Sequence, residues 1–209
     1  MRQRGWRLLA KRAFDVTAAS GALVATAPVL AGVAGAVWAT MGRPILFTQD
    51  RVGRDDRVFK VLKFRTMTVA DPNVPADQDQ VRITPVGRFL RATSLDELPQ
   101  LLNVLKGDMS LVGPRPLLVR YLPRYSQRQR RRHDVLPGLT GWAQVNGRNA
   151  LSWDQKFEHD VWYVEHWSLA LDAKIVAKTV LHVVRRDGIS AEGHATMPEF
   201  LGPAGAVAG

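Results

Sequence analysis

The sequence predicts a small α+β domain, richer in helix than in strand, joined to an N-terminal membrane segment. Three observations carry this expectation. Val16 to Gly42 contains no charged residue. Only two β-prone runs stand close together, Ile45 to Gln49 and Val58 to Phe64. From Thr84 onward, capping signatures and apolar residues at helical spacing dominate.

A length of 209 residues suits one globular domain. The chain carries 29 Lys and Arg against 19 Asp and Glu, a formal charge of +10. That balance points to an acidic partner: nucleic acid, an anionic membrane surface or phosphorylated small molecules. Apolar residues form 46% of the chain and charged ones 23%, too apolar for disorder. Cysteine is absent, which excludes disulfide scaffolds, thiol nucleophiles and cysteine-ligated metal sites. The five His are scattered, so no His-built metal site is expected.

The uncharged run is 27 residues long and, at about 1.5 Å per residue, exceeds a hydrocarbon core of ~30 Å. It is too long for the apolar part of a cleaved signal peptide. Arg2, Arg4, Arg7, Lys11 and Arg12 precede it, and Arg43, Arg51, Arg54, Arg57 and Lys60 follow. Because positive residues favour the cytoplasmic side, a single crossing strands one cluster on the wrong face. A helix that enters and returns satisfies both. Pro28, near the middle, lacks an N–H and can bend a helix there. Trp6 and Trp38 suit interfacial positions in either geometry. On these residues alone, the spanning and re-entrant readings stand level.

Beyond Gly42, the two β-prone runs read as a hairpin closed by the turn-rich segment Arg51 to Arg57. Residues 69–80 form a polar loop. Thr84 caps a short helix, Val86 to Arg91, with Pro85 in its first turn. A second helix runs from Leu98 to Lys106 and stops at Gly107. Met109 to Val112 is a short buried run leading into the rigid Gly113-Pro114-Arg115-Pro116. Leu117 to Asp134 reads as one or two helices, with Arg128 to Arg132 a solvated or lipid-facing cationic stretch. The loop Pro137 to Gly141 precedes a short strand, Trp142 to Val145. Ser152 and Gln155 form a capping box that opens a helix to about Trp167. Leu169 to Arg186 is amphipathic, either core or lying in a membrane interface. Residues 1–43 thus form the membrane segment, 44–201 the compact domain and 202–209 a tail.

The stretch most informative about chemistry is Ser94-Leu95-Asp96-Glu97-Leu98-Pro99-Gln100. Taken alone it has an ordinary structural account: Ser94 and Glu97 match capping-box spacing, and acidic residues suit a helix start. The surroundings argue for more. Lys63, Arg65, Arg88, Arg91, Lys106 and Arg115 are all near in sequence or in motif. A carboxylate at a helix start among cations suits phosphate chemistry once a divalent metal is added. Pro114 and Pro116 restrict the backbone at Arg115, which lowers the entropy lost when it holds a ligand.

These residues belong to long motifs. They are Phe47-Thr48-Gln49-Asp50-Arg51-Val52-Gly53, Lys63-Phe64-Arg65-Thr66-Met67, Ser94 to Leu101, Asn103 to Pro116, and Pro137 to Arg148. Through them, and through Lys11 to Asp15, the chain resembles the monotopic phosphoglycosyl transferases, the bacterial sugar transferase family. The resemblance reaches to about Leu201. It implies transfer of a sugar 1-phosphate from a UDP-sugar to polyprenyl (undecaprenyl) phosphate, with release of UMP. It implies that Asp96 is the nucleophile, forming a covalent phosphosugar, and a contact of Mg²⁺. Glu97 would support it as base or by positioning; Arg91 and Arg115 would contact phosphates; Lys63 and Arg65 would line the site. It also favours the re-entrant helix broken at Pro28, here preceded by Ala27 where some members have Ser, with the Thr26 hydroxyl available to freed carbonyls.

The resemblance further implies a bacterial inner (cytoplasmic) membrane location with the catalytic domain on the cytoplasmic face. The pathway is glycan, polysaccharide or glycoprotein assembly. The tail from Gly188 to Thr196 resembles that of enzymes using N-acetylated amino sugars of the diacetylbacillosamine type. A homodimer is compatible with this reading, and nucleic acid is not an expected partner. The competing expectation is a non-catalytic, basic, membrane-tethered module for anionic lipid or nucleic acid. Net charge serves both, but a polyanion binder gains nothing from Asp96 and Glu97 among its cations.

Overall fold

The computed structural model describes residues 5–68, 82–147, 150–185 and 199–202. The polar loop at 69–80, Arg148, most of the tail and the Gly188 to Thr196 motif lie outside the described residues. Helix α1, Trp6–Met41, is followed by an antiparallel hairpin of β1, Leu46–Val52, and β2, Val58–Phe64. Then come α2, Pro85–Ala92, and α3, Gln100–Lys106. A second, parallel pair joins β3, Ser110–Val112, to β4, Gly138–Thr140. Between these strands lies α4, Gln127–Arg130, flanked by 3₁₀ turns; α5, Trp142–Val145, α6, Trp153–His166, and α7, Leu169–Arg185, complete the chain.

Most local expectations hold, with shifted ends. Thr84 caps α2 by accepting from the Gly87 amide at 2.9 Å, with Pro85 in the first turn. Gly107, at φ 94°, closes α3. Both capping-box bonds open α6: Gln155 N–H to Ser152 Oγ and Ser152 N–H to Gln155 Oε1. Three expectations need correction. Trp142 to Val145 is helical, and the strand is instead Gly138–Thr140. The reason is backbone proximity: a Cβ on Gly138 would lie 2.1 Å from the Gly113 nitrogen, so only glycine lets these strands meet. The 117–134 segment breaks into three short turns, one containing Pro123. The Arg128 to Arg132 stretch is not all surface: Arg132 is 2% exposed.

Helix α1 does not end at Pro28, which lies inside it. Thr26 Oγ1 donates to the Ala22 carbonyl at 2.7 Å, two residues before the Val24 carbonyl that Pro28 deprives of its usual donor, so the hydroxyl does not serve the freed carbonyl itself. The fully buried residues of α1 fall towards its ends: Lys11, Asp15 and Ala19, then Val33 and Val37. Both ends dock on the domain. Lys11 Nζ reaches Asp15 at 3.0 Å and Asp172 of α7 at 2.7 Å, all three side chains buried. The Arg12 guanidinium donates to the Val104 and Leu105 carbonyls at the end of α3. At the other end, Arg65 donates to the Met41 and Gly42 carbonyls. Ala19 packs with Val61, Leu101, Val104 and Met109, and Val33 and Val37 pack with Phe64 and Leu90.

Helix α2 reaches its place because Gly87 lets it touch the chain leaving β2. A Cβ there would stand 1.8 Å from the Thr66 carbonyl oxygen. Gly87→Ala must therefore push α2 away from the hairpin, costing roughly 3 kcal/mol or more of stability. Denaturant unfolding of the purified protein should show the loss.

Candidate active site

Three pieces of chain bring the site together. Lys63 is the next-to-last residue of strand β2, and buried Asn103 fixes that strand to α3, accepting from the Leu62 amide at 3.0 Å and donating to the Lys60 carbonyl at 2.8 Å. After α2 the chain turns at Ser94, which is left-handed at φ 57°, and enters a 3₁₀ turn, Leu95–Glu97. The capping-box account fails here, because Ser94 makes no side-chain cap bond. A non-glycine residue in that region costs of order 1 kcal/mol or more, a strain common at functional turns. The third piece is the Gly113 to Pro116 loop after β3.

Glu97 is where the pieces meet. Its Oε1 accepts from Lys63 Nζ at 2.7 Å, while Arg115 grips both oxygens, Nη2 to Oε1 at 2.5 Å and Nη1 to Oε2 at 3.3 Å. Burial alone would raise the pKa of this carboxyl. The fields and hydrogen bonds of Arg115 and Lys63 overcome that and hold it well below the usual carboxylate range. Burial lowers Lys63 more than Glu97 raises it.

Asp96 is the opposite case. It is 7% exposed, and no hydrogen bond or ion pair to its carboxylate occurs among the described residues. Burial first and the charge of Glu97 second push its pKa up to about 6, against the opposing fields of Lys63, Arg91 and Arg115. Two adjacent carboxyls thus have opposed characters: one neutralised by cations, one near-buried and without a partner.

Of the expected site residues, Asp96, Glu97, Lys63 and Arg115 come together. Arg91 joins them through its field, its guanidinium bound to neutral groups, Thr66 Oγ1 at 3.0 Å and Met67 Sδ at 3.2 Å. Arg65 is instead spent on the carbonyls at the end of α1. Pro28 is in the membrane segment. Sequence reasoning passed over Arg51, whose guanidinium donates to Gln49 at 2.6 Å and the Pro116 carbonyl at 3.4 Å. Burial and the charge of Arg115 lower Arg51 to about 10. Its place in the Phe47 to Gly53 motif was the available signal. A separate hollow of about 240 Å³, lined by Asp55, Asp56, Arg130 and His133 among others, does not include Asp96.

No three His, Cys, Asp or Glu side chains gather as a metal cage among the described residues. A magnesium ion does not need one, being commonly held by one or two carboxylates together with substrate phosphates and water. The unpartnered Asp96 fits that donor set; Glu97, fully engaged by two cations, does not.

A near-buried free carboxylate in the field of Lys63, Arg91 and Arg115 is an arrangement suited to phosphate groups. Comparison with known proteins gives the family of the chain. The bacterial sugar transferase family matches residues 6–186. The uncharacterized sugar transferase EpsL of Bacillus subtilis is 51% identical over 196 residues, covering 93% of this chain and 97% of its own. The UDP-glucose:undecaprenyl-phosphate glucose-1-phosphate transferase of Klebsiella pneumoniae is 42% identical, covering 84% of this chain and 40% of its own length. The UDP-galactose-lipid carrier transferase of Erwinia amylovora is also 42% identical, over 85% of this chain and 41% of its own. The chain therefore spans nearly all of the first relative and about two fifths of the longer ones. It belongs to the bacterial sugar transferase family.

The raised pKa of Asp96 has a consequence for stability. A carboxyl that binds its proton more tightly when folded adds stability below about pH 4, and loses it as pH rises through about 6. The shift corresponds to about 3 kcal/mol. Asp96→Asn should match the wild type near pH 4 and exceed it by about that amount at pH 7. Unfolding midpoints measured across this pH range test the sign.

Proposed function

We propose that this enzyme transfers a sugar 1-phosphate from a UDP-sugar to undecaprenyl phosphate, releasing UMP, as a membrane step of polysaccharide assembly. The observation that carries the reading is the unpartnered, near-buried Asp96 carboxylate beside Lys63, Arg91 and Arg115. The names of the Klebsiella and Erwinia relatives supply the donor and acceptor class.

In the proposed sequence an Asp96 oxygen attacks the phosphorus next to the sugar. The bond from that phosphorus to the bridging oxygen breaks, and UMP leaves with the electron pair. A phosphate oxygen of the lipid then attacks the same phosphorus, the bond to Asp96 breaks, and the carboxylate is regenerated. A carboxylate is a modest nucleophile, but desolvation and a good leaving group favour the step. Magnesium, held by Asp96 and substrate phosphates, supplies charge neutralisation when bound. Arg91 and Arg115 hold phosphate oxygens. Glu97 serves as an anchor for Lys63 and Arg115, since a doubly ion-paired carboxylate is a poor base. The non-catalytic reading as a lipid-binding module gains no support from the family.

The donor is proposed as an N-acetylated amino sugar. The relatives named for a donor are named for glucose or galactose, so both hexoses belong in the same panel. Re-entry of α1 is supported by its two docked ends, and the basic residues flanking the apolar run favour the cytoplasmic face. A helix crossing the bilayer would carry one end ~30 Å from the other side, whereas Arg12 and Met41 both bind the one domain.

UMP release should be measured across UDP-sugars with undecaprenyl phosphate present. Asp96→Asn should lose it by several orders of magnitude, and intact-mass spectrometry without acceptor should show one sugar-phosphate on the wild type only. Full turnover in the variant would remove Asp96 as nucleophile. Cysteines near Trp6 and Arg43 should label from the cytoplasmic side alone; labelling from opposite sides would restore a spanning helix.

A further inference from the structure

The loop that carries Arg115 is mounted with unusual completeness. Four successive carbonyls each accept a hydrogen bond from a different residue. The Gly138 amide donates to the Pro114 carbonyl at 2.9 Å, Arg132 Nη2 to Arg115 at 2.7 Å, Arg51 Nη1 to Pro116 at 3.4 Å and the Val52 amide to Leu117 at 3.1 Å. Two of these donors are backbone groups of β1 and β4. The shortest comes from a buried side chain.

Arg132 is 2% exposed and Asp160, on α6, is 4% exposed. Arg132 donates from Nε and Nη2 to one oxygen of Asp160, at 3.0 and 2.8 Å, and its guanidinium lies 5.8 and 5.6 Å from the Tyr125 and Phe157 rings. Stability alone gives weak grounds for this arrangement. Desolvating two charges costs about as much as their attraction returns, and an apolar pair of similar volume often serves as well or better. What an apolar pair lacks is a donor aimed at the carbonyl of Arg115.

We propose that Arg132, oriented by Asp160, is a positioning residue that sets Arg115 against Glu97 and thereby fixes the charge beside Asp96. This rests on the reaction proposed above only for its catalytic consequence. Arg115 is half-exposed, with a long side chain that has many rotamers, so its grip on Glu97 depends on where its backbone is held. A shift of about 1 Å at such a mount can cost on the order of 100-fold in rate.

Removing Arg132 alone would leave Asp160 charged and unpaired in the interior. The test is therefore the double variant Arg132→Met with Asp160→Leu in the full chain, alongside Arg132→Lys, which keeps a cation for Asp160 but cannot fork to the Arg115 carbonyl. Two readouts are taken on whichever variant shows a cooperative unfolding transition. The first is independent of the reaction: ¹⁵N NMR of the Arg115 guanidinium, whose hindered rotation reports its two-point grip on Glu97. Loss of that grip should restore fast rotation and average the Nη signals. The second is steady-state UMP release, where kcat should fall at least tenfold and donor KM should rise, because Arg115 also holds a donor phosphate.

Hindered Arg115 rotation that persists in a folded variant overturns the positioning role, whatever the activity. A freed Arg115 together with a wild type that releases no UMP keeps the mount and overturns the reaction. If neither variant folds, Arg132 is a folding residue and the positioning role is overturned.

Discussion

Glu97 draws Lys63 from the end of the hairpin and Arg115 from the loop after β3 to a single carboxylate, and the rest of the site is arranged around that meeting. Both cations are thereby committed without being consumed. Lys63 offers three donors and Arg115 five, so each keeps N–H groups for a second anion. Their combined charge also shields Asp96 from its neighbour. Without them, two adjacent carboxyls in a buried turn could not both ionise near neutrality. The turn itself is costly, with Ser94 left-handed and Asp96 desolvated. The cost is borne by a surrounding frame: Asn103 locking β2 to α3, Gly87 admitting α2, and the glycines that let β3 and β4 touch.

Much of this was legible in the residues. Caps at Thr84 and Ser152 and the stop at Gly107 are local chemistry, so α2, α6 and the end of α3 could be read directly. The hairpin followed from β-prone runs around a polar turn. The strand Gly138–Thr140 was not legible, because glycine has no side-chain signature for a strand. Its pairing depends on contact with Gly113, distant in sequence. The acid pair stood out by its cations, yet its spacing also fitted a capping box, and only three-dimensional placement decided that Glu97 points to Lys63 and Arg115. Arg65 and Arg132 exchanged their expected roles for the same reason. One left the site to close α1, and the other left the presumed surface run to enter the core. A cation's sequence neighbours say little about which carbonyl it will reach.

The buried ion set of Lys11, Asp15 and Asp172 holds the start of α1 against α7, with Tyr163 and Trp167 also donating to Asp172. These contacts make the membrane segment part of the domain fold. They also give the Lys-Arg-x-x-Asp start, Lys11, Arg12 and Asp15, a structural role apart from Asp96.

In the re-entrant geometry proposed above, a segment pinned at both ends to one domain would add its cross-section to a single leaflet. Its insertion is then governed by the lateral pressure of that monolayer. The hydrophobic thickness that sorts bilayer-crossing helices among compartments has little purchase on it. Lipids with small headgroups or strained packing would accept such a wedge most readily, and in that geometry the double tie would make the enzyme responsive to the curvature of the sheet it rests on.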